Sequence, residues 1–179
     1  PTFLELYGAP IPPEVQGKSL IPIIQKDHSL RTASMFGYWG GGINVTDGQY
    51  TYFCYPNDML DQDLYQYTLM PTHMTKLFTV EELKSSSLAG PFDFTKGLPV
   101  LRVAHKSKAG TKTHSFHFPE KMEDTINTVY DIKKDPGQTI PVSDKKIIDR
   151  LNKELMRLIK ENDAPKETII RMSESTGIN

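Results

Sequence analysis

Three consecutive glycines, Gly40-Gly41-Gly42, lie inside the most aromatic stretch of this chain and restrict what it can build more than any other feature. They belong to residues 36–55, FGYWGGGINVTDGQYTYFCY, where aromatic side chains flank the run on both sides and an Asp47-Gly48 pair follows. Glycine loses more backbone freedom on folding than any other residue and offers no side chain to bury. A run of three in such a setting therefore marks close approach to the backbone. Asp-Gly between apolar runs is the strongest short-range hairpin signal. The stretch predicts an antiparallel hairpin whose glycines admit a close neighbour at the backbone.

The surrounding pattern extends the hairpin into a sheet. Residues 32–38, 43–46, 49–55 and 64–69 are short, aromatic or β-branched, and bounded by turn residues, which predicts an antiparallel meander. Thr79-Val80-Glu81-Glu82 matches a capping box opening a short helix through about Ser86, and Gly90-Pro91 breaks the chain after it. Residues 98–104, 113–118 and 127–132 are further strand candidates. A helix is predicted over 144–162, with Ser143 as N-cap and Ile147, Ile148, Leu151, Leu155, Leu158 and Ile159 on one face, ended by Pro165. Six such side chains laid on a sheet contribute on the order of 10 kcal/mol before entropy. The fold class that follows is α+β, a small antiparallel sheet of about four strands packed against a long C-terminal helix.

Residues 1–26 read differently. Phe3, Leu4, Leu6 and Tyr7 form one apolar stripe ended by Gly8, and Leu20, Ile21, Ile23 and Ile24 form another. A proline-rich connection with Pro10, Pro12 and Pro13 separates them. Together they are too small to bury one another, so they call for a partner. The chain also begins without Met, and the expectation is a trimmed or truncated product.

Length and charge bound the remaining classes. One ordinary domain accounts for most of the 179 residues. A formal net charge of -1 gives no electrostatic case for nucleic acid or an anionic membrane as partner. Cys54 is the single cysteine, so no intrachain disulfide forms. The sequence leaves cytoplasmic, periplasmic and secreted locations open.

No self-sufficient catalytic constellation is present. His28, His73, His105, His114 and His117 form no His-Glu-x-x-His pattern, and His114 and His117 would point to opposite faces of a strand. Cys54 lies in an aromatic strand and reads as a buried thiol. The triple glycine precedes a strand, so the helix N-terminus that receives a phosphate is missing. Asp58, Asp61 and Asp63 lack the glycine and terminal glutamate of a calcium loop. Asn44-Val45-Thr46 is formally a glycosylation sequon, for which chance occurrence is the better reading. Neither a catalytic nor a metal-binding residue is assigned.

With these residues in view, the chain resembles the C-terminal part of a bacterial type I sulfatase, the arylsulfatase-like branch of the alkaline phosphatase superfamily. Pro1-Thr2-Phe3-Leu4-Glu5-Leu6-Tyr7-Gly8 and Val15-Gln16-Gly17-Lys18-Ser19-Leu20-Ile21-Pro22 resemble the segment closing that family's large domain. Val129-Tyr130-Asp131-Ile132-Lys133-Lys134-Asp135-Pro136-Gly137-Gln138 resembles its Leu-Tyr-Asp-Leu strand and turn, with Gln138 in place of the usual acidic residue. Residues 36–53 resemble a motif of bacterial members.

The resemblance implies a division into residues 1–26, the tail end of the catalytic domain, and residues 27–179, the C-terminal subdomain. It implies a sulfuric ester hydrolase whose partners are the missing N-terminal catalytic domain and a sulfated small molecule or sugar. It also implies formylglycine and calcium in the full-length parent, both outside this chain: Cys54 is followed by Tyr55-Pro56-Asn57, not by the family's x-Pro-x-Arg. The chain alone is expected to be inactive and to complete the substrate pocket. Tyr38, Trp39, Asn44, Thr72 and His73 are the substrate-binding candidates, and the uncovered apolar surface is a route to oligomers. The alternatives are a stand-alone carbohydrate-binding or structural module, and a fragment of a related phosphoester or phosphonate hydrolase.

Overall fold

The structure, a computed structural model, describes residues 1–59, 62–70, 72–105 and 124–178. Two short helices, α1 (Thr2–Leu6) and α2 (Ile21–Lys26), precede strands β1 (Ser34–Gly37), β2 (Ile43–Thr46), β3 (Tyr50–Phe53) and β4 (Leu64–Thr68). Then come α3 (Val80–Lys84), β5 (Ser87–Ala89), β6 (Val100–His105) and β7 (Thr128–Asp131), and the chain closes with α4 (Lys145–Glu161) and α5 (Lys166–Thr176). The class is α+β. The candidate strand at 113–118, with His114 and His117, lies outside the described residues, as do Asp61 and Pro71.

The aromatic stretch forms the predicted hairpin. β1, β2 and β3 pair antiparallel in sequence, with Met35 opposite Val45 and Val45 opposite Tyr52. Asp47 fixes the turn: its Oδ1 accepts from the Gln49 and Tyr50 amides at 2.9 and 2.7 Å, and Arg150 Nη2 donates to its Oδ2 at 2.7 Å. Gly48 takes a φ of 86°, which a side chain would resist. The meander differs from expectation after β3, where the next partner is β7 and the sheet order is β1-β2-β3-β7. β4 instead joins a second sheet, β4-β6-β5, all antiparallel. Alternating burial alone does not say which strand a neighbour chooses.

One face of the first sheet carries the core. Val45, Tyr52, Cys54 and Val129 are buried against Leu151, Leu155, Met156 and Ile159 of α4 and Met172 of α5. The helix N-cap is Asp144 rather than Ser143, its side chain accepting from the Lys146 amide at 2.8 Å. Pro165 does not simply stop the chain; it stands at the N-terminus of α5, a position where its missing N–H costs nothing. The capping box at Thr79 forms, but α3 ends at Lys84 so that Ser87 can enter β5.

α1 and α2 contain no buried residue. Phe3, Leu6, Leu20 and Ile24 are 76%, 62%, 49% and 74% exposed. Among the described residues no helix is long and apolar enough to cross a membrane.

Candidate functional site: the glycine loop and its histidine rim

The loop between β1 and β2 owes its glycines to the protein's own atoms. Gly40, Gly41 and Gly42 are buried. A Cβ on Gly42 would stand 2.8 Å from the Cys54 carbonyl oxygen and 3.1 Å from the Tyr55 ring. One on Gly41 would strike the Tyr38 ring, and one on Gly40 would stand 3.0 Å from Leu64 Cδ1. The close neighbours predicted from the glycine run are therefore a strand, two tyrosines and a leucine of the same chain. Arg171 of α5 secures the loop at second hand: its Nη1 donates to Gln62 Oε1 at 2.8 Å, and Gln62 Nε2 donates to the Gly40 carbonyl at 3.1 Å.

Held this way, the loop projects Trp39 onto the second sheet. Trp39 Nε1 donates to the Tyr65 carbonyl at 3.1 Å, and the indole meets the His105 ring edge to face, with centroids 4.7 Å apart. His105 ends β6, in register with Leu64 of β4. Trp39 remains 44% exposed.

His73 approaches from the segment before α3. Its Nε2 lies 2.8 Å from Glu82 Oε1, and its ring meets Phe78 with centroids 4.4 Å apart. The other Glu82 oxygen accepts from the Thr79 amide at 2.6 Å, so one carboxylate serves both the helix cap and the imidazole. The Thr79 amide bond, with His73 adding to it, holds the Glu82 carboxyl below the usual carboxylate range. Burial pushes the His105 imidazole below its ordinary value; Glu82 opposes that shift and His73 reinforces it. Glu82 thus bonds His73 directly, while Trp39 packs against His105.

The five residues singled out in the sequence fall into two sets. Trp39 packs against His105, and His73 bonds Glu82. Tyr38 is 48% exposed, with its ring over Gly41. Asn44 is half-buried and accepts from the Cys54 amide at 3.2 Å, which ties β2 to the end of β3. Thr72 forms an isolated bridge with Leu77. His105 and Glu82 were not singled out by the sequence. Glu82 was legible only as a capping residue, and no local spacing links His105 to Trp39, which it meets through the second sheet.

The rim offers hydrogen-bonding groups and an indole surface rather than a nucleophile. Cys54 is buried, and burial raises the pKa of its thiol. Among the described residues no group of three or more His, Cys, Asp or Glu side chains is placed to hold a metal ion.

No family model matches this chain, and no curated protein matches it. A solved structure of the Bacteroides thetaiotaomicron sulfatase BT33494S-sulf, from work on a core genetic locus for metabolism of multiple glycosaminoglycans, is similar to 98% of the chain at 15% identity, with a TM-score of 0.49. The chain spans 28% of that structure's length.

Proposed function

We propose that this chain is the C-terminal part of a sulfatase, a subdomain that packs on a catalytic domain and completes its substrate pocket. The observation that carries the reading is the state of residues 1–26. The segment whose residues resemble the closing stretch of a sulfatase catalytic domain is also one most of whose large apolar side chains are exposed. Leaving Phe3, Leu6 and Ile24 in water forgoes about 1.5–3 kcal/mol for each large side chain that a partner surface could bury. Residues 1–26 are then the end of the catalytic domain, and residues 27–179 the subdomain packed against it.

In this reading the glycine loop and its histidine rim form one wall of the pocket. Tyr38, Trp39 and His73 are the side chains offered to substrate, with Asn44 and Thr72 as hydrogen-bonding neighbours in the same segments. Formylglycine and calcium, implied by the resemblance to sulfatases, belong in this reading to the catalytic domain. The bond cleaved is a sulfuric ester, and the chain by itself does not cleave it.

The test is the coding sequence that runs into Pro1. A C/S-x-P/A-x-R stretch followed by a large α/β pattern supports the reading. A different domain, or no open reading frame, sinks it.

A further inference from the structure

β7 is an edge strand of the first sheet, paired with β3 on one side. In antiparallel pairs, bonded and non-bonded positions alternate. Ile43 N donates to the Cys54 carbonyl and Ile132 N to the Gln49 carbonyl, so Val45 bonds Tyr52 across β2 and β3, and Thr51 bonds Tyr130 across β3 and β7. Tyr52 and Val129 are then a non-bonded pair, and the Val129 amide and carbonyl both turn away from β3. At that outer edge the carbonyl accepts from Val142 N at 2.8 Å. The amide has no partner among the described residues, although Val129 is only 2% exposed. A buried N–H left unpaired is rare in a folded chain.

The same edge borders a cavity of about 390 Å³, which runs along residues 126–130 and is also lined by Tyr52, Pro141, Val142 and Ile148. No lining side chain carries a charge. Several of its polar groups are already committed. The Tyr52 hydroxyl is bonded to Cys54, and Thr128 Oγ1 donates to the Ile126 carbonyl at 2.8 Å. Asn127 Oδ1 accepts from the Tyr55 amide at 2.8 Å, and its Nδ2 donates to Ser175 Oγ at 3.0 Å. An occupant therefore meets apolar surface and the Val129 N–H. A carboxylate or sulfate would have to shed water with no opposite charge in the lining, whereas a carbonyl accepts from one amide without that cost.

We propose that this cavity binds an uncharged, apolar group carrying a carbonyl oxygen. The oxygen accepts from Val129 N–H, and the apolar part lies against Tyr52, Val142 and Ile148. A peptide carbonyl beside a leucine-like side chain and a small ketone share this chemistry. The volume suits either, being within the range of small-ligand sites. The inference stands independently of the sulfatase reading.

The experiment is amide and methyl NMR on the full chain at neutral pH. Cyclohexanone, N-acetyl-leucine methylamide, methylenecyclohexane and sodium cyclohexanecarboxylate are titrated separately. In the free chain, couplings across hydrogen bonds are expected at the Thr128 and Tyr130 amides and not at Val129. At least one of the two carbonyl compounds should then shift the Val129 amide and the Val142 and Ile148 methyls saturably. Methylenecyclohexane, which matches cyclohexanone in shape but lacks the oxygen, should bind about tenfold more weakly than the ketone or not at all, and the carboxylate should give no response. A response to the leucine amide alone assigns a peptide source, and one to the ketone alone a small molecule. Ile148→Phe and Val142→Phe fill the space from two different segments and should each abolish the response, so one variant suffices if the other fails to fold. A Val129 amide already bonded to a carbonyl of the chain, equal binding of ketone and hydrocarbon, a response to the carboxylate, a response that survives in a folded variant, or none to either carbonyl compound overturns the proposal.

Discussion

Gly41 and Gly42 both exclude a Cβ, but the atoms they exclude it with differ in freedom. At Gly42 the obstacle is the Cys54 carbonyl, part of the pairing that supports β2 and β3, with Ile43 N donating to the same oxygen at 3.0 Å. At Gly41 the obstacle is the ring of Tyr38, a side chain near half exposure that has room to turn. Gly42→Ala should therefore cost about 1–3 kcal/mol in urea unfolding, and Gly41→Ala clearly less. His105 makes a second residue-scale prediction. Its folded pKa lies below the ordinary imidazole value of 6.5, so as pH falls the unfolded chain binds this proton first. Its contribution to stability is full above about pH 6.5, declines as pH drops toward the folded pKa, and then levels. The charged or titrating groups acting on it are Glu82, which opposes the shift, and His73, which adds to it. His105→Gln should flatten the stability profile over that window; an unchanged slope would remove His105 from the account.

At the scale of elements, α4 and α5 hold the first sheet together. Leu155 and Met172 are fully buried in the shared core, one from each helix. Leu155→Ala and Met172→Ala should each cost about 2–5 kcal/mol by chemical denaturation. α4 was legible because its apolar residues recur at helical spacing from Ile147 to Ile159, enough to outweigh local ambiguity. α5 was hidden by Pro165, which reads equally as the end of one helix and the start of the next. The hairpin was legible from Asp47-Gly48, whereas the second sheet was not. β5 has only three residues, and β4 pairs with a strand more than thirty residues away, which local pattern cannot register. The same limit hid half of the candidate site. Trp39 and His73 were visible as residues beside a turn, but the pairing of β4 with β6 is what sets His105 beside Trp39.

For the whole molecule, the contrast between its two ends governs behaviour in solution. Leu151, Leu155, Met156 and Met172 are buried in the core, while α1 and α2 present Phe3, Leu6, Tyr7 and Ile24 to water, as other segments present Met74, Leu77 and Leu88. Exposed apolar surface of this kind promotes association. Sedimentation of the chain should show mass rising with concentration, and the double change Phe3→Ser with Ile24→Ser should suppress it while shifting unfolding stability by less than about 0.5 kcal/mol per site. A monomer at all concentrations would mean that this face does not seek cover. The central claim concerns what covers the face in the cell and what the assembled protein does. It is tested most directly by calcium-dependent hydrolysis of an aryl sulfate, measured for the protein translated from the reading frame that runs into Pro1 beside the 179-residue chain alone. The account predicts turnover by the longer protein and none above background by the chain; turnover by the chain, or none by the folded longer protein, would contradict it.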